Sequence, residues 1–406
     1  MNLIKLSSLL FLIIFYLLPV PFACALDQTA AAAQDGIVQS GSENVTGSNQ
    51  QEPELNLREV ENYINQVDTD IKSAVPGLSF KDMFFKIIRG DVSWKPASVF
   101  NDLLKYLFKE VVANTSLLGK LIFLTMICAV LHNLTSAFDR GTTGQLSYLV
   151  VYLVLATIAI GSFALAINTG RDLVDRMVSF MQAIMPLLLT LLVAMGGVAS
   201  AAILHPVILI SLTVIGTLTK NIVLPLIFFS AVLGIADNLS ASFKVSRLAD
   251  LLKTVAMGLL GIFSTIFLGI LAIQGVAGAV GDGVTLRTAK FAIDAFVPVV
   301  GGMFSGALES VVSSSLLIKN AAGITGMISI FLIMGLPMLK IISLSFIYKL
   351  AGALVQPVAE GQVVDCLNEM GSSLILVFAA VGVVGLLFFF SITILIGVGN
   401  MTVMLR

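Results

Sequence analysis

Four ionisable residues stand where an apolar sequence tolerates them only at a cost. Asp294 and Glu309 fall within the apolar stretch 290–316, and Lys290 and Lys319 stand at its ends. A carboxylate or an ammonium is expensive to bury in hydrocarbon, so such groups pair, reach water or line an ion path. Lys290 and Asp294 are four residues apart, which puts them on one helical face within pairing reach. Glu309 lies about two and a half turns or more from either lysine and needs a partner elsewhere, or water. The chemistry open to this set is a coupling-ion site or a polar pore lining. An interfacial helix with a wet polar face accounts for the same residues. Gly302 and Gly306, in the same stretch, form a GxxxG pattern that lets helix backbones approach closely.

No other constellation carries chemistry. Gly275, Gly278, Gly281 and Gly283 superficially match a phosphate-binding loop, but that motif needs a preceding strand and a following helix N-terminus. An apolar segment precedes them here, so the flexible exit of a helix is expected instead. His132 and His205 are single and distant from one another. Cys24, Cys128 and Cys366 make neither a zinc spacing nor a disulfide framework, and the last two read as small buried apolar side chains. With no nucleophile–base–orienter set and no Walker loop, the expectation is a non-enzymatic protein with no cofactor and no metal. A net charge of −1 gives no field that would gather nucleic acid.

The elements that position these residues must be membrane helices. Only 12% of the 406 residues are charged and 57% are hydrophobic, against about a quarter charged in a soluble domain. The mean hydropathy is +1.01, and several apolar runs are long enough to cross a bilayer. The fold class expected is all-α, a polytopic helical membrane protein with an exported N-terminal helical region.

Residues 1–25 read as an export signal: Lys5 supplies the positive n-region, Leu6 to Leu18 the apolar core, and Ala23-Cys24-Ala25 a cleavage site before Leu26. Residues 26–56, rich in Ala, Gln, Ser, Gly and Asn, have almost nothing to bury and read as a disordered exported linker. Residues 57–116 form an amphipathic helical exported region. Leu57, Val60, Ile64, Val67, Ile71 and Val75 mark one face of a first helix that Pro76-Gly77 ends. A second helix is expected over Phe80 to Ile88 and a third over Ala97 to Val112. Such helices suit the membrane interface or a partner, or pack against the protein itself.

Residues 117–406 form the membrane domain. Ten apolar segments are read at 117–138, 146–168, 177–198, 201–219, 222–240, 254–276, 290–316, 322–339, 341–358 and 372–397. Several carry Pro or Gly near the middle, so about eight to ten membrane segments are expected. An internal repeat underlies them. Asn133-Leu-Thr-Ser-Ala-Phe138 returns as Asn238-Leu-Ser-Ala-Ser-Phe243. The units run at about 117–220, 222–340 and 341–406, and four segments per unit make them parallel repeats. Short-loop charges are balanced across the membrane, so the export signal decides orientation.

Two stretches carry a family resemblance: Phe243-Lys-Val-Ser-Arg-Leu-Ala-Asp-Leu-Leu-Lys253, and the run from Ala289 through Asp294 and Pro298-Val-Val-Gly-Gly302 to Glu309. With the export signal, the polar exported segment and a Gly-rich domain behind it, the chain resembles the stage III sporulation protein AE family of endospore-forming bacteria. That resemblance implies a component of the apparatus linking mother cell and forespore, in the mother-cell membrane around the engulfed forespore. It also implies assembly with other stage III sporulation A-operon proteins, including an ATPase resembling secretion motors and ring-forming proteins. The membrane domain would be the platform, or the permease-like part, of a channel. The residues on their own leave open a stand-alone secondary transporter or ion-coupled permease, favoured by the repeat, the interrupted helices, Asp294 and Glu309. A purely structural scaffold is the third reading.

The topology is testable. Residues 26–116 are expected outside the cytoplasm and Lys244 to Lys253 inside, from the export signal and the densest basic cluster. In a background lacking Cys24, Cys128 and Cys366, a cysteine at Ser48 should label from outside in intact cells. One at Ser246 should label only after permeabilisation; labelling of Ser246 from outside would overturn the assignment.

Overall fold

In lipid, backbone N–H and C=O groups must bond within their own segment or its neighbours, and the chain meets this with helices alone among the described residues. The computed structural model describes residues 79–89, 96–137, 142–237, 244–296, 301–358 and 361–404. The export signal, the linker and the expected helix from Leu57 to Val75 lie outside the described residues.

The helices are α1 (Phe80–Ile88), α2 (Pro96–Ala113), α3 (Thr115–Ala137), α4 (Thr142–Ala194), α5 (Val198–Leu218), α6 (Leu224–Asp237), α7 (Ser246–Phe296), α8 (Gly301–Val355) and α9 (Gln362–Met404). The span of α1 is the one read from the sequence, and α2 extends the expected third helix by one residue at each end. Ser79 caps α1, its Oγ accepting from the Asp82 N–H at 3.4 Å. Phe84 is buried in the main core, and both α1 and α2 pack against α8. These two amphipathic helices therefore dock on the protein's own membrane domain.

Five stretches are long and apolar enough to cross a membrane: Leu149–Ala194, Val198–Asp237, Ser246–Thr288, Ser310–Val355 and Gln362–Met401. Leu107–Ala113 and Thr115–Leu131, bent by 55° at their break, pass the same test only when taken together. The ten short segments thus ride on fewer, longer helices. Segments 146–168 and 177–198 share α4, 322–339 and 341–358 share α8, and 201–219 and 222–240 are joined through a π-helical turn, Thr219–Val223. Arg171, Arg176 and Lys340, which fall between the apolar segments, sit within helices. Lys220 lies in the π turn. That turn immediately precedes Pro225, whose ring an uninterrupted α-helix would press against the carbonyl four residues back.

In the stretch 290–316, Lys290 and Asp294 belong to α7 while Gly302, Gly306 and Glu309 belong to α8; residues 297–300 between the two lie outside the described residues. The glycines Gly275 to Gly283 lie inside the continuous α7 rather than at a flexible exit. The expected unit boundaries at 220–222 and 340–341 fall within continuous helical runs. The repeated hexapeptide at 238–243 lies outside the described residues.

Consecutive long helices run antiparallel, and polar contacts set their register. Tyr152 Oη donates to the Ile235 carbonyl at 2.9 Å, Ser230 Oγ to Ala249 at 2.6 Å and Ser345 Oγ to Gly371 at 2.7 Å. Lys220 Nζ meets Asp175 at 2.8 Å. Lys253 pairs with Glu369, and the hydroxyls of Ser162 and Tyr348 bond to each other. Hydroxyls without a distant partner turn back on their own helix: those of Thr125, Ser264, Thr325 and Ser391 donate to the carbonyl four residues earlier. Close approach relies on small residues. A Cβ at Gly326 would meet Ile184 at 2.6 Å, one at Gly385 would meet Met334 Sδ at 2.6 Å, and Gly323 faces Ile396 directly.

The α4–α5 connection is a turn of three residues, Met195, Gly196 and Gly197. Gly196 has φ +90°, and a Cβ there would lie 2.6 Å from Leu286 of α7. Gly196→Ala is expected to destabilise by about 1–3 kcal/mol, from backbone strain with the clash added. Thermal aggregation of the detergent-solubilised protein reads this as a lower midpoint. Gly258→Ala, whose Cβ meets nothing within 4 Å, should leave that midpoint unchanged or raise it.

Candidate functional site

The α4–α5 turn leaves the first N–H groups of α5 without partners inside the helix, and Gly197 at the cap offers no side chain. A carboxylate from another helix fills the gap. Asp282 of α7 accepts from the Ala199 N–H at 2.8 Å and the Ser200 N–H at 3.0 Å, and is only 2% exposed. The positive end of α5 and the negative charge stabilise each other. Gly278 lies one turn from Asp282, and a Cβ there would meet Ser200 Oγ at 2.6 Å, so α7 must be bare at this point to reach the helix start.

Lys319 of α8 lies in the same layer, fully buried at 0% exposure. Its ammonium has one partner among the described residues, the Ile396 carbonyl of α9 at 3.2 Å. It rests against Gly399, whose missing side chain makes the room, and Met195 Cε lies 3.0 Å from where a Gly399 Cβ would be. Gly275 of α7 faces Val398 and Ile394 of α9. The end of α4, the start of α5 and the facing stretches of α7, α8 and α9 therefore converge here. Asn320 Oδ1, Asn400 Oδ1 and Ser200 Oγ are buried in this region without a hydrogen-bond partner. Among the described residues no ion pair joins Asp282 to Lys319; backbone dipoles meet each charge instead.

Of the residues singled out from sequence, Lys319 is brought into this layer, as part of a helix rather than a connection. The side chains of Lys290, Asp294 and Glu309 lie outside the described residues, although their backbones are helical. Gly302 opens α8, with its surroundings likewise outside the described residues. Gly306 is exposed and a Cβ there would meet nothing within 4 Å, so within this chain no described helix packs on it. Cys128 and Cys366 are buried free thiols, as read. Sequence reasoning passed over Asp282. The available signal was that it is the only acidic residue between Lys253 and Lys290, an isolated charge in an apolar helix.

Comparison with known proteins decides the family. The model of the stage III sporulation protein AE family matches residues 78–399. The chain belongs to that family. It is 44% identical over 352 residues to stage III sporulation protein AE of Bacillus subtilis (strain 168), covering 87% of this chain and 88% of that protein. No solved structure matches. Membership implies a role in sporulation, and the five apolar helices make this family member a multi-pass membrane protein. The relative's name is not an enzymatic one.

The two buried charges should respond differently to removal. Asp282→Ala leaves two helix N–H groups without an acceptor and is expected to cost about 1–3 kcal/mol for each. Lys319→Met replaces a buried cation by an apolar chain of similar length and should leave stability equal or raised, by up to about 4 kcal/mol. Thermal stability in detergent separates the two: a large loss in Lys319→Met would make the lysine a structural element.

Proposed function

We propose that this protein is the membrane platform, or channel subunit, of a secretion-like apparatus that moves material between mother cell and forespore during sporulation. It sits in the mother-cell membrane around the forespore with its N-terminal region outside the cytoplasm. It works with other stage III sporulation A-operon proteins, including an ATPase and ring-forming proteins. Family membership supports the setting. The observation that carries the membrane role is the buried layer of Asp282 and Lys319, each left to backbone dipoles, inside helices otherwise selected for lipid. A scaffold has no use for an unpaired buried ammonium, whereas a polar passage does. Three crossings by α3, α4 and the α5–α6 run would place the exported region and the start of α7 on opposite faces.

The same layer also favours a second reading, an ion-coupled permease that works alone. Reconstitution distinguishes the two. The purified protein in liposomes is expected to show no solute uptake, while the protein drawn from sporulating cells should bring several membrane partners and an ATPase with it. Uptake by the isolated chain, abolished by Glu309→Gln with insertion intact, would establish the permease instead. In cells, Lys319→Met should cut spore yield while the protein still accumulates in the membrane.

A further inference from the structure

Among the described residues nothing packs on the outer face of α2, which continues into an exposed side of α3. Leu107 and Val111 are half-buried, and Val111 packs on the core. Leu104, Phe108 and Val112, at successive four-residue steps, are 41%, 59% and 70% exposed. After the 55° bend, Phe123, Met126 and Val130 form an exposed row on α3. Lys105, Lys109 and Lys120 are also exposed. On a helical projection Lys105 and Lys109 border the side of the stripe formed by Phe108 and Val112, and Lys120 precedes the α3 row by one turn. The acid nearest the bend is engaged: Glu110 accepts from Asn114 Nδ2, through its carbonyl at 2.8 Å and through Oε1 at 3.4 Å. Thr115 Oγ1 donates to the Val112 carbonyl at 2.7 Å, so the bend is built by polar side chains returning to the end of α2.

We propose that α2 is an interfacial helix whose partner is the anionic phospholipid of the leaflet from which α3 enters the membrane. Phe108 and Val112 enter the headgroup–acyl boundary. Lys109 and Lys120 extend to the phosphates, their methylene stems lying along the apolar surface. Two observations select lipid over water or a protein. The stripe is continuous with a row on a membrane helix, and the charges bordering it match those of headgroup phosphates. An aqueous position would leave a contiguous apolar stripe in water, which soluble surfaces avoid.

The test uses the full chain in proteoliposomes. Trp94 is the only tryptophan, so Trp94→Phe gives a blank background for Phe108→Trp or Lys109→Trp. The vesicles contain phosphatidylcholine and phosphatidylglycerol brominated at shallow acyl positions, matching an insertion depth of about 5–10 Å. Phe108→Trp should lose most of its emission to the bromines and be shielded from acrylamide, while Lys109→Trp should show the reverse. The bromine quenching of Phe108→Trp should weaken when phosphatidylcholine alone is used. Quenching of Phe108→Trp by acrylamide and not by bromine would put the face in water and overturn the proposal. Protection from both quenchers would show a protein covering it and equally overturn it. Equal bromine quenching in the two lipid compositions would remove the anionic preference.

Discussion

The free N–H groups at the start of α5 must find an acceptor, and Asp282 is the one they find. In water this end of a helix could turn to solvent. Inside a bundle of apolar helices it cannot, and a single carboxylate on α7 takes both bonds. That contact fixes how far α7 slides along the α4–α5 hairpin. The rest of α7 follows: Gly278 against Ser200, Leu286 over the Gly196 turn, Gly275 against Val398 of α9. Further along, Ser230 on the Ala249 carbonyl and Lys253 on Glu369 hold the same register at the other end. A register slip of one residue in α7 would strand Asp282 among apolar side chains and face Gly278 away from the backbone it must approach.

Much of the chain was legible from composition and periodicity. Membrane character, helical class and the positions of α1, α2 and α3 follow from apolar run length and three- and four-residue spacing. Segment number does not, because a charged run such as Asn168–Arg176 reads equally well as a loop or as continuous helix. Arg and Asp favour neither decisively, and what settles it is the neighbour: Asp175 pairs with Lys220 across the hairpin. Pro225 looks like a terminator, yet a π turn carries the helix past it. Lys319 was legible as a candidate, but its burial depends on Gly399 eighty residues away, a pairing no local pattern contains. Asp282 stands among glycines whose spacing resembles a phosphate loop, and that pattern is stronger in the sequence than the lone carboxylate within it.

Placing Asp282 and Lys319 in one layer without pairing them has a physical consequence. An ion pair at that point would neutralise both groups and close the region to other polar matter. Here the carboxylate is held by N–H dipoles and the ammonium by a single carbonyl, so among the described residues Lys319 retains donors without an acceptor, and Ser200, Asn320 and Asn400 retain acceptors without a donor. Groups in that state attract water or a hydrophilic chain. They attract them at a point where α4, α5, α7, α8 and α9 all meet, so any change in occupancy is felt by every long helix.

The length of the helices bears on which machine such a layer would serve. At 1.5 Å per residue the 53 residues of α4 extend for about 80 Å, more than twice the roughly 30 Å of a bilayer's hydrocarbon. Helices of that length either tilt steeply or stand clear of the membrane. The tight, glycine-dependent packing of α8 on α9 and α4 fixes these axes against one another. The charged groups Asp175 and Lys220 meet near the middle of the hairpin that α4 forms with the α5–α6 run, rather than at its end. A self-contained carrier must rock one half of its fold against the other, and continuous helices threaded through both halves resist that motion. Helices threaded in this way make a rigid body around the layer that holds Asp282 and Lys319.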